Sequence, residues 1–308
     1  MPFLSRCAGT ATCSCRKKNR KKKMAIEVIP TGAALGAEVR GLDLSKPLSA
    51  DDFEAVQQAW YDHIVLLFRG QKISDDDLIR FSQHFGELDI APASATDMAG
   101  GQEKSRPEIW IISNVIENGK PIGALGDKEA EWHTDMSYVA QPPMASVLYS
   151  LEIPSAGGDT SFANMYKALE ELPADLRAAI ETRMVNHDAS TTSVGELRAG
   201  ADAVLDVRTA PGAKHPAIRT HPATGGKALY LGRRLNGYIE GCSVEESEKL
   251  LDRLWAHCAK PEFSWTHKWA VGDLLVWDNR SAIHRRASFD GRERRVMHRT
   301  QIKGDRPR

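Results

Sequence analysis

The chain has 308 residues, of which 42% are hydrophobic and 27% charged, a makeup that suits a folded core and excludes wholesale disorder or a fibrous repeat. No run approaches the roughly 18 apolar residues that would cross a bilayer, so a membrane span is not expected. The 41 basic and 41 acidic residues balance, yet residues 1–23 hold eight of the former and none of the latter. The remainder is therefore acidic, which does not suit a nucleic-acid binder.

The N-terminal stretch ends in a basic run, Arg16, Lys17, Lys18, Arg20, Lys21, Lys22 and Lys23, without the periodicity of a packed element. It reads as a disordered basic extension. Its charges follow a weak Ser/Cys-containing stretch instead of preceding an apolar core, an order that does not fit export. A transit peptide and a basic interaction tail are alternatives, but Met24 opens a strand-like segment, Ile26 to Ile29, so residues 1–23 read best as an upstream start taken too early. Cys7, Cys13 and Cys15 lie in this tail. Cys242 and Cys258 alone are too few for a disulfide framework and lack zinc spacing, which points to a reducing, cytoplasmic compartment.

Residues 24–308 carry no repeat and no linker, and read as one domain. Ser49-Ala50-Asp51-Asp52 is a capping-box-like start, after which Phe53, Val56 and Trp60 fall on one helical face. A buried strand, Ile64 to Phe68, follows. Ser74 to Asp77 starts a second helix with Leu78, Phe81 and Phe85 inward, and Ser243 with Glu246 caps a third that runs to about Cys258. Short strands are expected at Ile109 to Val115, Ser146 to Leu151, Ala217 to Thr220, Ala228 to Leu231, Glu262 to Trp269 and Leu274 to Trp277. Many strands and few helices predict a mainly β sandwich or barrel with flanking helices. Two long stretches without apolar pattern, 91–106 and 190–214, are expected to act as lids.

Ten histidines are present, and spacing must separate them. In Glu131-Trp132-His133-Thr134-Asp135 an imidazole and a carboxylate stand two residues apart, so on a strand they share a face and can meet one metal. A second segment, Leu274 to His284, reads as a buried strand whose end delivers a histidine. Asp290-Gly291 reads as a tight hairpin turn, which would set His284 opposite Met297, with Arg295 and Arg299 on the same face. Two histidines and a carboxylate with open positions form the facial triad of non-haem iron oxygenases, and zinc is the competitor. A nearby guanidinium able to hold a dicarboxylate cosubstrate favours iron.

Several motifs together resemble the taurine/2,4-dichlorophenoxyacetate dioxygenase family over about residues 26–306. These are Trp-His-Thr-Asp at 132–135, Gly157-Gly158-Asp159-Thr160, Trp277-Asp278-Asn279-Arg280 leading to His284, and Arg295-Val296-Met297-His298-Arg299. The spacing from His133 to Thr160 and from His284 to Arg295 also agrees with the family. The resemblance implies a double-stranded β-helix, a cupin-like jelly roll. It implies that His133, Asp135 and His284 bind Fe(II), and that Arg295, helped by Thr160, holds the distal carboxylate of 2-oxoglutarate. With O2, such an enzyme converts 2-oxoglutarate to succinate and CO2 while hydroxylating a substrate C–H.

In the family, Arg299 would hold the anionic group of the substrate; its other reading is a salt-bridge partner behind the metal. Taurine is doubtful, because Phe85-Gly86-Glu87-Leu88 is followed by Asp89 to Ser94 without the family's His and Tyr near the substrate amine. An aryloxyalkanoate such as 2,4-dichlorophenoxyacetate, or another carboxylate or sulfonate, is favoured, with taurine or an alkyl sulfonate or sulfate as the alternative. Tyr138 is expected either to line the pocket or to sit in the core. His187, His215, His221, His257 and His267 read as structural or surface residues, His298 as facing away from the metal, and His63 and His84 have no evident partner. The rival classes are a zinc hydrolase on the same ligands and an idle jelly-roll binding protein. The expected partner is a small organic anion, with neither nucleic acid nor membrane, in a homodimer or homotetramer.

Overall fold

The computed structural model describes residues 26–90 and 106–308. Expectations for the 1–23 extension and for most of the 91–106 stretch lie outside these residues. The first sheet has eight strands in the order β1 (Glu27–Pro30), β2 (Ala37–Arg40), β3 (Val65–Phe68), β17 (Leu274–Asp278), β9 (Ala145–Glu152), β19 (Val296–Ile302), β4 (Trp110–Ser113) and β7 (Ala124–Leu125). The second has four: β16 (Ser264–His267), β10 (Thr160–Asn164), β18 (Ala282–Arg286) and β8 (Ala130–His133).

Period-two alternation assigns each strand's two faces. On β17, Leu274 and Val276 pack outward with helices α1 (Ala50–His63) and α2 (Asp75–Gln83), among Val56, Trp60, Leu78 and Phe81. Leu275 and Trp277 point inward, with Leu148, Met297 and Phe162, into a core that joins the two sheets. The outer side of the second sheet is covered by α3 (Met165–Glu170), α4 (Ala174–Ile180) and α5 (Val244–Cys258), around Ile283, Leu251, Leu254 and Phe263. Three small sheets complete the fold: β5 (Ile116–Glu117) with β6 (Lys120–Pro121), β13 (Ile218–Thr220) with β14 (Lys227–Leu229), and β11 (Met184–Asp188) between β12 (Gly212–Pro216) and β15 (Tyr238–Ile239).

The three expected helices form where their caps place them. Ser49 accepts from the Asp52 N–H, and Ser74 with Asp77 and Ser243 with Glu246 make full capping boxes. Two expectations are corrected. Leu274 to His284 is not one strand: the Asp278 side chain accepts from the Arg280 N–H at 2.8 Å and the Ser281 N–H reaches the Asp278 carbonyl at 3.2 Å, a turn that sends β17 and β18 into different sheets. Nor are β18 and β19 a hairpin. They face each other across the sandwich, so Arg295 and Arg299 approach His284 from the opposite sheet and not from a neighbouring strand. The 190–214 stretch is largely irregular, with a 3-10 turn at Val207–Thr209 and the start of β12. No helix among the described residues is long and apolar enough to cross a membrane.

Candidate active site

The second sheet builds the site as two successive cross-strand rows on its inner face. In the first row Phe162 of β10 is paired with His284 of β18, and His284 with His133 of β8. Directly opposed residues project to one side, which brings the two imidazole centroids to 4.2 Å. Asp135 follows in the turn after β8, and its carboxylate oxygens stand 3.9 Å from His133 Nε2 and 3.9 Å from His284 Nε2. The three ligand atoms lie within 4.8 Å of one another, and all three residues are buried.

The surroundings prepare these groups as donors. His133 Nδ1 lies 2.6 Å from the Glu131 carbonyl, which can only accept, so Nδ1 carries the proton and the Nε2 lone pair is turned toward Asp135. Burial pushes both imidazoles below their ordinary value, His133 strongly, and so favours the neutral ligand form. Burial alone would raise Asp135, but the charge of Arg299 and then the two histidines outweigh it and hold the carboxyl well below the usual range. Asp135 Oδ2 also accepts from Ser146 Oγ at 2.7 Å, and Oδ1 from Arg299 Nη1 at 3.2 Å. A fixed carboxylate between two neutral imidazoles fits a divalent cation of the two-histidine, one-carboxylate type.

In the second row Thr160 of β10 is paired with Arg286 of β18. The Thr160 hydroxyl accepts from Trp269 Nε1 at 3.0 Å, which leaves its own proton to donate. Arg295 reaches the same cavity from the opposite sheet and is buried. Its guanidinium makes no ion pair among the described residues, and Nε has no hydrogen-bond partner. Burial, with the charge of Arg286, pushes it down to about 9, a strain that an arriving carboxylate would relieve. Gly157 and Gly158, both at positive φ, carry the chain past this residue into β10. Ile112, Leu148 and Trp277 form the apolar wall. Roomier hollows lie under the 189–211 loop and beside α1, but neither gathers the triad and the buried Arg295.

Six of the seven residues singled out from the sequence are thus brought to one place: His133, Asp135, His284, Thr160, Arg295 and Arg299. Arg299 lines the cavity, lies 4.7 Å over the Trp110 ring and is bonded to Asp135, the contact its salt-bridge reading expects. Tyr138 stands apart, half-buried, with Arg198 stacked 4.3 Å over its ring. Arg286, Ser146 and Arg233, which pairs with His133 in an isolated bridge, were not foreseen. Arg286 could have been, since it lies two residues beyond His284 on the same strand and therefore shares its face. The other two reach the site through pairings with distant segments that leave no local trace.

The chain matches the family model described as "Taurine catabolism dioxygenase TauD, TfdA family" over residues 27–301. It is 33% identical to pentalenolactone F synthase of Streptomyces avermitilis, over 90% of this chain and 93% of that protein. It is 32% identical to (S)-phenoxypropionate/alpha-ketoglutarate-dioxygenase of Delftia acidovorans, over 91% of this chain and 95% of that protein. Among solved structures, a putative alpha-ketoglutarate-dependent taurine dioxygenase from Burkholderia xenovorans superposes with a TM-score of 0.74 at 31% identity, covering 92% of this chain and 91% of the other.

Proposed function

Because this chain belongs to the TauD/TfdA family of Fe(II)- and 2-oxoglutarate-dependent dioxygenases, we propose that it hydroxylates a small organic anion, with aryloxyalkanoates such as 2,4-dichlorophenoxyacetate the leading class and sulfonates or sulfate esters the alternative. One observation carries the residue assignment: the ligand atoms of His133, Asp135 and His284 gather within 4.8 Å, beside a cavity that also receives a buried arginine without an acid partner among the described residues. In this reading the three residues hold Fe(II). Bound iron supplies the redox chemistry that couples O2 and 2-oxoglutarate decarboxylation to C–H oxidation.

The chain's own groups do the positioning. Arg295 grips the distal carboxylate of 2-oxoglutarate, and the Thr160 hydroxyl, already fixed as an acceptor for Trp269, donates its proton to the same group. Ser146 and Arg299 keep Asp135 oriented, and Arg299 adds positive charge for an anionic substrate. Phe162, Leu148 and Trp277 exclude water from the reacting carbon. With an oxyacetate, hydroxylation of the ether carbon gives a hemiacetal that collapses to a phenol and glyoxylate.

The unpaired thiols of Cys242 and buried Cys258, the latter pushed up to about 12 by burial, support a reducing compartment, the cytoplasm. Neither nucleic acid nor membrane enters the reading, and a homodimer or homotetramer is the assembly the family suggests. The test is oxygen consumption and succinate formation with Fe(II) and 2-oxoglutarate across phenoxyacetates, phenoxypropionates, alkyl sulfonates and sulfate esters. Iron-dependent stimulation by at least one anion is expected. Hydrolysis supported equally by zinc would overturn the reading.

A further inference from the structure

The first inner row does not end at His133. An isolated antiparallel bridge pairs His133 with Arg233, and the Thr134 N–H donates to the Gly232 carbonyl at 2.9 Å. That hydrogen bond joins the residues on either side of the pair, so His133 and Arg233 are a non-hydrogen-bonded pair, the kind with α-carbons about 4.5 Å apart and the closer side chains. Phe162, His284, His133 and Arg233 therefore form one line across the sheet, with Arg233 on the far side of His133 from β10.

Arg233 is 6% exposed, its Nη1 donates to the Thr191 carbonyl, and its Nε has no partner. The same carbonyl receives Arg198 Nε at 3.0 Å, so two guanidiniums hang on one neutral acceptor. Neither makes an ion pair among the described residues. Asp188 is the acid beside them, but its oxygens are occupied by Ser190, Thr191 and Asn236. A buried cation sharing one carbonyl with a second cation has no carboxylate in direct contact among the described residues, and an oxyanion supplies that contact.

We propose that Arg233, assisted by Arg198, forms an anion subsite that holds the carboxylate or sulfate group of the primary substrate beside the metal centre. It is a specificity determinant additional to Arg299, one of whose nitrogens already serves Asp135. The subsite rests on the functional reading above only in taking its ligand to be the substrate. It selects a carboxylate or sulfate oxyanion and rejects the neutral amide of the same shape, which would leave the guanidinium uncompensated.

The test is anaerobic calorimetry on protein loaded with Fe(II) and 2-oxoglutarate, titrated with phenoxyacetate, phenoxyacetamide and inorganic sulfate. Wild type should bind phenoxyacetate and not the amide. Arg233→Met should weaken phenoxyacetate and sulfate by about tenfold or more, Arg198→Met by about threefold, and Arg233→Lys should recover part of the loss. Unchanged affinity for both anions in Arg233→Met, or a wild type that binds neither, would overturn the subsite. Charge-dependent binding through Arg233 without any succinate formation would instead uphold the subsite and defeat only the proposed substrate class.

Discussion

Two buried histidine pairs in this molecule look alike and do different things. His133 and His284 have ring centroids 4.2 Å apart, and His187 and His215 have theirs 5.0 Å apart. Burial pushes all four below their ordinary value. The first pair brackets a carboxylate and opens on a cavity. In the second, His215 Nε2 lies 2.9 Å and 3.0 Å from the carbonyls of Ser137 and Val139, and the neighbouring ring is Tyr230, not an acid. Paired imidazoles alone therefore brace a core. The intervening anion makes the other pair able to hold a cation.

The sharpest way to break this contrast is to delete one ring from each pair. His133→Ala should abolish Fe(II) binding and turnover, whereas His187→Ala should keep iron affinity and lose about 1–3 kcal/mol of stability. Anaerobic iron titrations and melting curves separate the two, and loss of iron in both variants would erase the distinction. Next in size, Arg295→Gln should raise the 2-oxoglutarate requirement by about 30-fold or more, since a carboxylate loses a buried charge-assisted pair. An unchanged requirement would remove Arg295 from the site.

Ser146→Ala tests the carboxylate alone. Without the 2.7 Å hydrogen bond to Oδ2, Asp135 should hold iron about tenfold more weakly, and equal affinity would show that Arg299 suffices. The smallest effect is a pH dependence. His187 is neutral when folded and has an ordinary value near 6.5 when unfolded, so the unfolded chain binds more protons below that pH. Stability should therefore fall as pH drops from 6.5 toward the depressed folded value, and His187→Gln should flatten that slope in denaturant titrations at several pH values. An equally steep slope in the variant would place the acid sensitivity elsewhere.

What could be read in advance followed from local chemistry. Ser49, Ser74 and Ser243 announce their helices because a cap acts within three residues. The unbroken apolar run Leu274 to Trp277 marks a strand buried on both faces. His133, Asp135 and His284 come together as their spacing and the family motifs suggested. The turn at Asp278 was marked by four polar residues, Asp278 to Ser281, but no local pattern shows that the strands on either side of it join different sheets. Short α3 and α4 carry too few turns to show a period. Arg233 was invisible for another reason: its bridge to His133 joins segments 100 residues apart in the sequence.

Gly158 leaves room beside Arg295. Its φ is +69°, and a β-carbon there would come within 3.3 Å of Arg295 Nε and 3.5 Å of its Cδ. The position of that guanidinium thus depends on the absence of a side chain at Gly158. Bulk at position 158 would press on the arginine from behind, so, on the proposed role of Arg295 as the anchor of the diacid, a larger residue there should shift the preference among keto acids of four, five and six carbons.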